Sequence, residues 1–368
     1  MSKPSSQKRK WTGASGLASD KPAPPTPTTG PYNSQFQQML IDIGVYPATH
    51  RMPDGSRPRP KNYDDIMDRL RRRRLSMSPS QETFEEFLED NDQAESESDV
   101  MSHVVRAITG RGDRYDMKEN KKFEGMEKFG PTLKVLQPDK YHGAPPKQVD
   151  KRVRLELAKY IVPAGNTSLP AVPNFFLEGK GAAGRSDVAA RQVMYDNAYG
   201  ARAMFQLQNY GKETSEYDGN AYTLGSFYLP GTGTLLIYST HPKLSATGHT
   251  EYYTTRLKGY CMIDNIEIFR QGVAAYRNAR DFSKEQRDNF IASANKLARN
   301  KEHMATPPSE SESVVTDLTV PGGGSSEPDA STDELAPQCD HPTERIERGQ
   351  PAAESLRKSV AELAAEAG

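Results

Sequence analysis

The sequence predicts an α/β protein with a mixed central sheet flanked by helices, on three observations. The run PNFFLEGKG at 173–181 is apolar and typical of a buried strand. The stretch SDVAARQVMYDNAYGARAMFQLQNYG at 186–211 has the length and apolar spacing of one long helix. Two further strand-like runs, AYTLGSFYL and TLLIYSTHP, surround PGTG, which is the pattern of a β-hairpin. Helices and strands that alternate along a chain in this way build α/β folds.

The composition indicates one folded core that is smaller than the chain. Only 35% of the 368 residues are hydrophobic, the mean hydropathy is -0.78, and the 27 prolines lie mainly near the two ends. We expect a largely disordered basic N-terminal region with short helices and an acidic segment at 1–94, a core at 95–301, and a disordered acidic tail at 302–368. No apolar stretch approaches the roughly 20 residues that span a bilayer, so no membrane partner is expected.

Two helical patterns precede the core. Residues 34–47 place apolar side chains at helical spacing up to Pro47 and predict a short helix that docks either on the core or on a partner protein. Residues 62–79 predict a second helix that ends in four arginines at 71–74. With the basic residues at 8–10, these arginines indicate a nuclear-import signal or a nucleic-acid patch. The expected location is therefore the nucleus, otherwise the cytoplasm.

The core elements follow in order. An amphipathic helix runs from Val100 and ends at Gly110, TLKVLQPD at 132–139 predicts a strand, and 147–161 predicts a helix. The long helix after the central strand has Ser186 or Asp187 as its expected cap. TTRLKGYCMI predicts one more strand, and a helix closes the core near residue 300.

Charge is strongly segregated along the chain. Residues 1–80 carry 14 Lys/Arg and 6 Asp/Glu, and residues 81–100 carry 9 acids and no bases. Residues 101–301 carry 30 bases and 20 acids, and residues 302–368 carry 4 bases and 14 acids. A basic core with an acidic tail predicts a polyanionic partner, with the tail as an internal competitor. The alternative is ordinary charge patterning that keeps a protein soluble.

Charged residues collect where the predicted strands end. Glu178 and Lys180 leave the apolar run two residues apart, so their side chains point the same way. Asp139 ends the preceding strand-like run, Glu97 precedes the first core helix, and Gln192 lies on the helix that follows. Two carboxylates at strand ends are hard oxygen ligands of the kind that Mg²⁺ takes, and a neighbouring lysine can position the attacking water or stabilise developing phosphorane charge. E-x-K triplets are also common at solvated strand edges, but the apolar FFL before this one favours a cleft.

These residues resemble the PD-(D/E)XK nuclease superfamily, and FFLEGKGAAGRSDVAARQVMYDNAYGARAM is similar to an uncharacterised group of fungal domains within it. The similarity covers about residues 95–285. It implies a restriction-endonuclease-like fold, with Asp139 and Glu178 as ligands of Mg²⁺ (or Mn²⁺) and Lys180 as the catalytic lysine. It implies Gln192 as a residue that supports the site or contacts the DNA backbone. Glu97 would be the acid from the first core helix, with Glu95 as its rival.

One departure from the superfamily pattern is the connection between Asp139 and Glu178. They lie 39 residues apart with a predicted helix between them, so an insertion is expected. Three functions remain open. The first is an active nuclease with nucleic acid, DNA in particular, as its substrate. The second is a catalytically inactive module of the same fold that binds nucleic acid or protein. The third is an interaction protein that recruits partners through residues 34–47 and the acidic tail.

Overall fold

The computed structural model describes residues 28–74, 78–110, 116–165 and 168–305, with side chains to residue 301. Over these residues the chain forms a seven-stranded mixed sheet flanked by helices, which confirms the predicted α/β class. The strands are β1 Val45–Tyr46, β2 Met117–Glu119, β3 Lys140–Ala144, β4 Ala171–Gly179, β5 Thr223–Leu229, β6 Thr234–Leu244 and β7 Thr250–Cys261. The helices are α1 Phe36–Asp42, α2 Tyr63–Arg71, α3 Gln81–Gln93, α4 Glu97–Asp99, α5 Val105–Thr109, α6 Lys151–Glu156, α7 Ala158–Ile161, α8 Ser186–Gln208 and α9 Ile266–Ala305.

The strands lie in the order β1-β7-β6-β5-β4-β3-β2. Strand β4 pairs antiparallel with β3 and parallel with β5. A parallel pair needs a crossover connection, and α8 provides it between β4 and β5. Strands β5 and β6 form the predicted hairpin, whose turn places Gly233 at φ +56, a conformation that glycine adopts without steric cost.

Strand β4 is buried along its whole length because side chains pack on both of its faces. Phe176 lies in a cluster with Tyr199 of α8. Its neighbours Phe175 and Leu177 point to the opposite face and lie in a second cluster with Ile108 of α5. Burying each such side chain contributes about 1.5–3 kcal/mol. The end of β4 is therefore fixed between two apolar layers.

Three predicted helices are present, with one difference in capping. The helix predicted from Val100 begins at Glu97 and runs through α4, a π-helical turn and α5 to Gly110, which has φ +68. The long helix after β4 is α8, and the closing helix is α9. The N-cap position of α8 is Arg185 and no side chain caps it, so the predicted cap by Ser186 or Asp187 is wrong.

Two predicted elements of the core are corrected. The strand predicted at 132–139 is wrong: this segment makes only an isolated bridge from Leu133 to Thr29, and β3 begins at Lys140. Pro138 has no N–H to give to a strand ladder, which accounts for the later start. The helix predicted at 147–161 is divided between a 3-10 turn, α6 and α7, because Asp150 caps α6 by accepting the N–H of Arg152.

The chain before the core packs on it more extensively than the composition indicates. The helix predicted within 34–47 is α1, which docks on the core through the fully buried Phe36 and Leu40. The sequence also places α3 outside the core, yet Phe84 and Phe87 on its apolar face lie in the second cluster. The predictions for residues 1–27 and for the tail beyond 305 fall outside the described residues.

Candidate active site

The candidate site lies where β3 begins and β4 ends. The register pairs Lys140 with Leu177, so the preceding Asp139 lies opposite Glu178. Asp139 donates its backbone N–H to Glu178 Oε1 at 3.0 Å, and Asp139 Oδ2 accepts the backbone N–H of Gly179 at 2.9 Å. Two carboxylates that are 39 residues apart in sequence are therefore held side by side. The segment between β3 and β4 contains the helices α6 and α7.

Lys180 brings a positive charge to this pair. Its Nζ lies 3.8 Å from Asp139 Oδ2 and 3.8 Å from Glu178 Oε2, and it donates to Glu97 Oε2 at 3.1 Å. It also donates to the carbonyl of Gly179. The side chain of Lys180 is 3% exposed and that of Glu97 is 40% exposed. Glu97 is therefore the most solvent-exposed of the three acids that lie near the ammonium group.

Glu97 is positioned by the cap of its own helix. Ser96 Oγ accepts the backbone N–H of Asp99 at 3.1 Å, and Asp99 Oδ2 accepts the backbone N–H of Ser96 at 2.9 Å. This capping box fixes the first turn of α4 and with it the carboxylate that Lys180 contacts. Its rival Glu95 is exposed, and none of the described contacts joins it to Lys180.

Helix α8 covers Glu178 with two polar side chains. Gln192 Nε2 donates to Glu178 Oε2 at 2.6 Å. One turn further along α8, Asp196 is 2% exposed, and its charge raises the pKa of Glu178. Gln192 Oε1 and Asp196 Oδ2 are buried without a hydrogen-bond partner among the described residues. Buried polar atoms of this kind are rare and call for a ligand, water or ion.

Burial decides the charge state of the carboxylates. Burial raises the pKa of Glu178 well above its usual range, and the charges of Asp196 and Asp139 raise it further. Burial also raises the pKa of Asp196 to about 8 and, against the lowering effect of Lys180, raises the pKa of Asp139. At neutral pH the buried carboxyl group of Asp196 therefore holds a proton.

Burial and the neighbouring acids have opposing effects on the pKa of Lys180. Burial acts to lower the pKa of Lys180, but the charges of Glu178, Asp139 and Glu97 together outweigh it, and the pKa of Lys180 is raised. The group therefore remains an ammonium ion throughout the neutral range. Three acids lie near this one lysine and Asp196 lies beside Glu178, so the cluster lacks positive charge, and protons or a cation must supply it.

The donors of the cluster are compatible with Mg²⁺ or Mn²⁺ held by two carboxylates. Among the described residues, no group of three or more His, Cys, Asp or Glu side chains is arranged to hold a metal ion. Mg²⁺, however, is commonly held by one or two carboxylates, with water and substrate phosphate as its other ligands. Asp139 and Glu178 supply two adjacent carboxylates, and the unpartnered oxygens of Gln192 and Asp196 add acceptor capacity beside them.

The structure brings the predicted site residues together in one cluster: Asp139, Glu178, Lys180, Gln192 and Glu97. The sequence candidates leave out Asp196, which is as deeply buried as Lys180. The signal that identifies it is its position four residues after Gln192, on the same face of α8.

No protein-family model, no curated protein and no solved structure matches the chain. The likeness to the PD-(D/E)XK superfamily therefore remains a prediction from the quoted residues. In the part of the chain that the structure describes, no helix combines the length and the apolar character needed to cross a membrane. Inferences about function consequently depend on the geometry of the cluster and its surroundings.

Proposed function

We propose that the protein is a Mg²⁺- or Mn²⁺-dependent, nuclease-like enzyme that hydrolyses phosphodiester bonds of nucleic acid. The observation that carries the proposal is the position of Lys180 Nζ, 3.8 Å from the carboxylates of both Asp139 and Glu178. A solvated strand edge exposes its charges, whereas this triplet is buried between two apolar layers.

We assign the core to the restriction-endonuclease-like arrangement on its topology. The helical segment at 97–109 precedes the antiparallel strands β2, β3 and β4, and α8 then crosses over to the parallel strand β5. In this order one carboxylate directly precedes β3, the other lies on its partner β4, and the supporting glutamine lies on the crossover helix. The exposed arginines at 71–73 support nucleic acid, DNA in particular, as the substrate and the nucleus as the location.

Asp139 and Glu178 would hold the metal ion. When bound, the metal ion would supply positive charge that stabilises the negative phosphodiester oxygens, and it would lower the pKa of a coordinated water. The backbone N–H groups of Asp139 and Gly179 keep the two carboxylates in place. Gln192 fixes the second oxygen of Glu178, and Asp196 holds a proton beside it.

Lys180 acts as a hydrogen-bond donor and a fixed positive charge in this proposal. Because its pKa is raised, it orients the attacking water and stabilises the developing phosphorane and does not remove a proton. Glu97 holds the ammonium group at 3.1 Å and aligns it between the two carboxylates.

A catalytically inactive module of the same fold is the alternative. The ion-pair network around Lys180 is closed, since Glu178 and Lys180 are 1% and 2% exposed. A closed network can be retained for structure alone, and the surface would then bind nucleic acid or protein without cutting it. A silent copy has no chemical need for all of the charged groups, and we therefore favour the enzyme.

The test is metal-dependent cleavage of plasmid and single-stranded DNA by the purified protein, beside Glu178→Gln and Lys180→Met. We expect the wild type to cut with Mg²⁺ or Mn²⁺ and both variants to lose about 10²-fold or more, the scale at which removing one such electrostatic group slows catalysis.

Lys140→Met is the matched control. Lys140 is also a buried lysine, with 6% of its side chain exposed, and it pairs with the half-exposed Glu119 at 3.0 Å. The control is expected to cut normally while it loses comparable stability. If the wild type does not cut, or if Lys140→Met and Lys180→Met lose activity equally, the enzyme proposal fails and the cluster is structural.

A further inference from the structure

A basic pocket lies between the C-terminal end of α2, helix α9 and strand β7. Its volume is about 350 Å³, within the range of small-ligand pockets. Seven of the fifteen described residues that line it are cations: the arginines at 71–74, Lys258, Arg270 and Arg277. Glu267 is the one acidic residue among those fifteen. We call this site the arginine pocket.

The carboxylates near the arginine pocket balance only part of its charge. Arg71 pairs with Asp68 at 2.9 Å, Arg74 with Asp281 at 2.6 Å, and Arg270 with Glu267 at 2.9 Å. The other lining cations are Arg72, Arg73, Lys258 and Arg277. Among the described residues, the first three have no ion-pair partner, and all three are exposed. The pocket therefore presents exposed cations on one side.

Like charges also crowd the buried side of the pocket. Arg277 is 8% exposed and donates to the backbone carbonyls of Ala107 and Ile108. Burial lowers the pKa of Arg277, and the charges of Arg280 and Arg74 lower it further. An anion in the pocket would relieve this repulsion, because it would face several guanidinium groups at once.

The helical segment at 97–109 links the pocket to the carboxylate cluster. Its first residue, Glu97, contacts Lys180, and ten residues later the carbonyl of Ala107 accepts from Arg277. Ten residues of helix span about 15 Å. One nucleic-acid strand covers this distance with four or five nucleotides at about 3.4 Å each.

We propose that the arginine pocket binds the phosphate backbone of a nucleic-acid strand and thereby anchors the substrate beside the carboxylate cluster. Six of its seven cations are arginines, whose planar forks match phosphate oxygens in pairs. The spread of charge across Arg72, Arg73 and Lys258 fits a row of phosphates better than one isolated anion. The choice of nucleic acid as the polyanion rests on the proposed function.

The test is binding of a short fluorescent DNA strand, and of an RNA strand of the same sequence, in EDTA so that no cleavage occurs. The variant is Arg72→Glu/Arg73→Glu, measured by anisotropy between about 50 and 200 mM salt. We expect at least about a tenfold loss of affinity and a salt slope reduced by about 1.4, since each phosphate contact of a single strand contributes about 0.7 to the slope.

Lys296→Glu/Arg299→Glu is the matched control. Both residues are exposed on α9, and the two substitutions reverse the same amount of charge as the pocket variant. Arg299 lies 22 residues beyond Arg277, or about 33 Å along the helix. The control is expected to bind within twofold of the wild type. Equal losses in both double variants, unchanged binding in the pocket variant, or binding of an acidic peptide and of neither nucleic acid would each overturn the proposal.

The binding measurement and the cleavage assay together separate this inference from the proposed function. If the wild type binds through the pocket and never cleaves with metal, the anchoring site stands and the enzyme proposal fails. If the wild type cleaves while Arg72→Glu/Arg73→Glu binds normally, the enzyme proposal stands and the anchoring site is wrong.

Discussion

The backbone N–H of Asp139 donates to the carboxylate of Glu178, and the carboxylate of Asp139 accepts in return the N–H of the residue that follows Glu178. Each acid thus fixes the backbone on which the other is carried. The arrangement keeps two like charges adjacent in a buried place, which is unfavourable unless Lys180 and a further cation or proton compensate them. The charge of each acid and its hydrogen bonds can therefore be tested separately.

Two replacements of Asp139 separate the role of its negative charge from the role of its hydrogen bond to Gly179. Asp139→Asn keeps an oxygen that accepts the Gly179 N–H but removes the negative charge, so we expect a free energy of unfolding close to that of the wild type and loss of metal-dependent cleavage. Asp139→Ala leaves the Gly179 N–H without its partner, which costs about 1–3 kcal/mol. Urea denaturation and the plasmid assay measure the two effects. Equal stability of the two variants would contradict the hydrogen-bonding role.

Stability is expected to fall as pH rises from about 5 to 8. Asp196 has a pKa of about 8 in the folded protein against a usual 3.8, so the folded state binds the proton more tightly. The contribution of this group is complete below the unfolded pKa and is lost as pH rises towards the folded value. Each unit of pKa difference corresponds to about 1.4 kcal/mol. Thermal denaturation over this range measures the effect.

Asp196→Asn is expected to flatten this pH dependence, because the amide is neutral at every pH. Asp187→Asn is the control on the same helix: Asp187 is half-exposed, and its hydrogen bond with Arg185 lowers its pKa. Its contribution is already complete above about pH 5, so its variant keeps the wild-type slope. An unchanged slope in Asp196→Asn would exclude this carboxyl group as the source.

Metal binding is expected to stabilise the protein more at high pH than at low pH. Mg²⁺ or Mn²⁺ competes with the protons held by Glu178 and Asp196, and a ligand at a hundred times its Kd adds about 2.7 kcal/mol to the free energy of unfolding. We therefore expect Tm to rise by several degrees at about pH 8 and by less at about pH 5. Asp139→Asn should abolish the shift, whereas Glu119→Gln should keep it. A Tm that does not change with metal at either pH would show that the cluster does not bind Mg²⁺ or Mn²⁺, contrary to the proposal.

The sequence predicts the members of the candidate cluster better than the elements that carry them. Glu178 and Lys180 were placed by the two-residue alternation of a strand, and Gln192 and Asp196 share a face by the spacing of a helix; both are local rules. The pairing of Asp139 with Glu178 depends on a non-local strand register. The strand predicted at 132–139 is absent, and Asp139 instead directly precedes β3, which begins at Lys140. The sequence predicts that α1 docks but leaves its target open, and it places α3 outside the core, because composition averages over whole segments while packing depends on a few apolar side chains such as Phe36 and Phe87.

The fit of α8 on β4 depends on the absence of a side chain at Gly200. A Cβ atom there would lie 2.7 Å from Thr223 Cγ2, 2.8 Å from Phe176 Cε2 and 3.0 Å from the carbonyl oxygen of Pro173. Gly200→Ala is therefore expected to destabilise the protein by about 1–3 kcal/mol through overpacking, although alanine favours a helix by about 1 kcal/mol over glycine.

The same substitution should also weaken the site, since any outward shift of α8 lengthens the 2.6 Å contact between Gln192 and Glu178. We expect a lower Tm and a smaller metal-induced Tm shift in Gly200→Ala. Gly165→Ala is the control, because none of the described residues has an atom within 4 Å of a Cβ atom at that position. If Gly200→Ala is as stable as Gly165→Ala and keeps the full metal-induced shift, then the close packing of α8 on β4 does not hold Gln192 against Glu178.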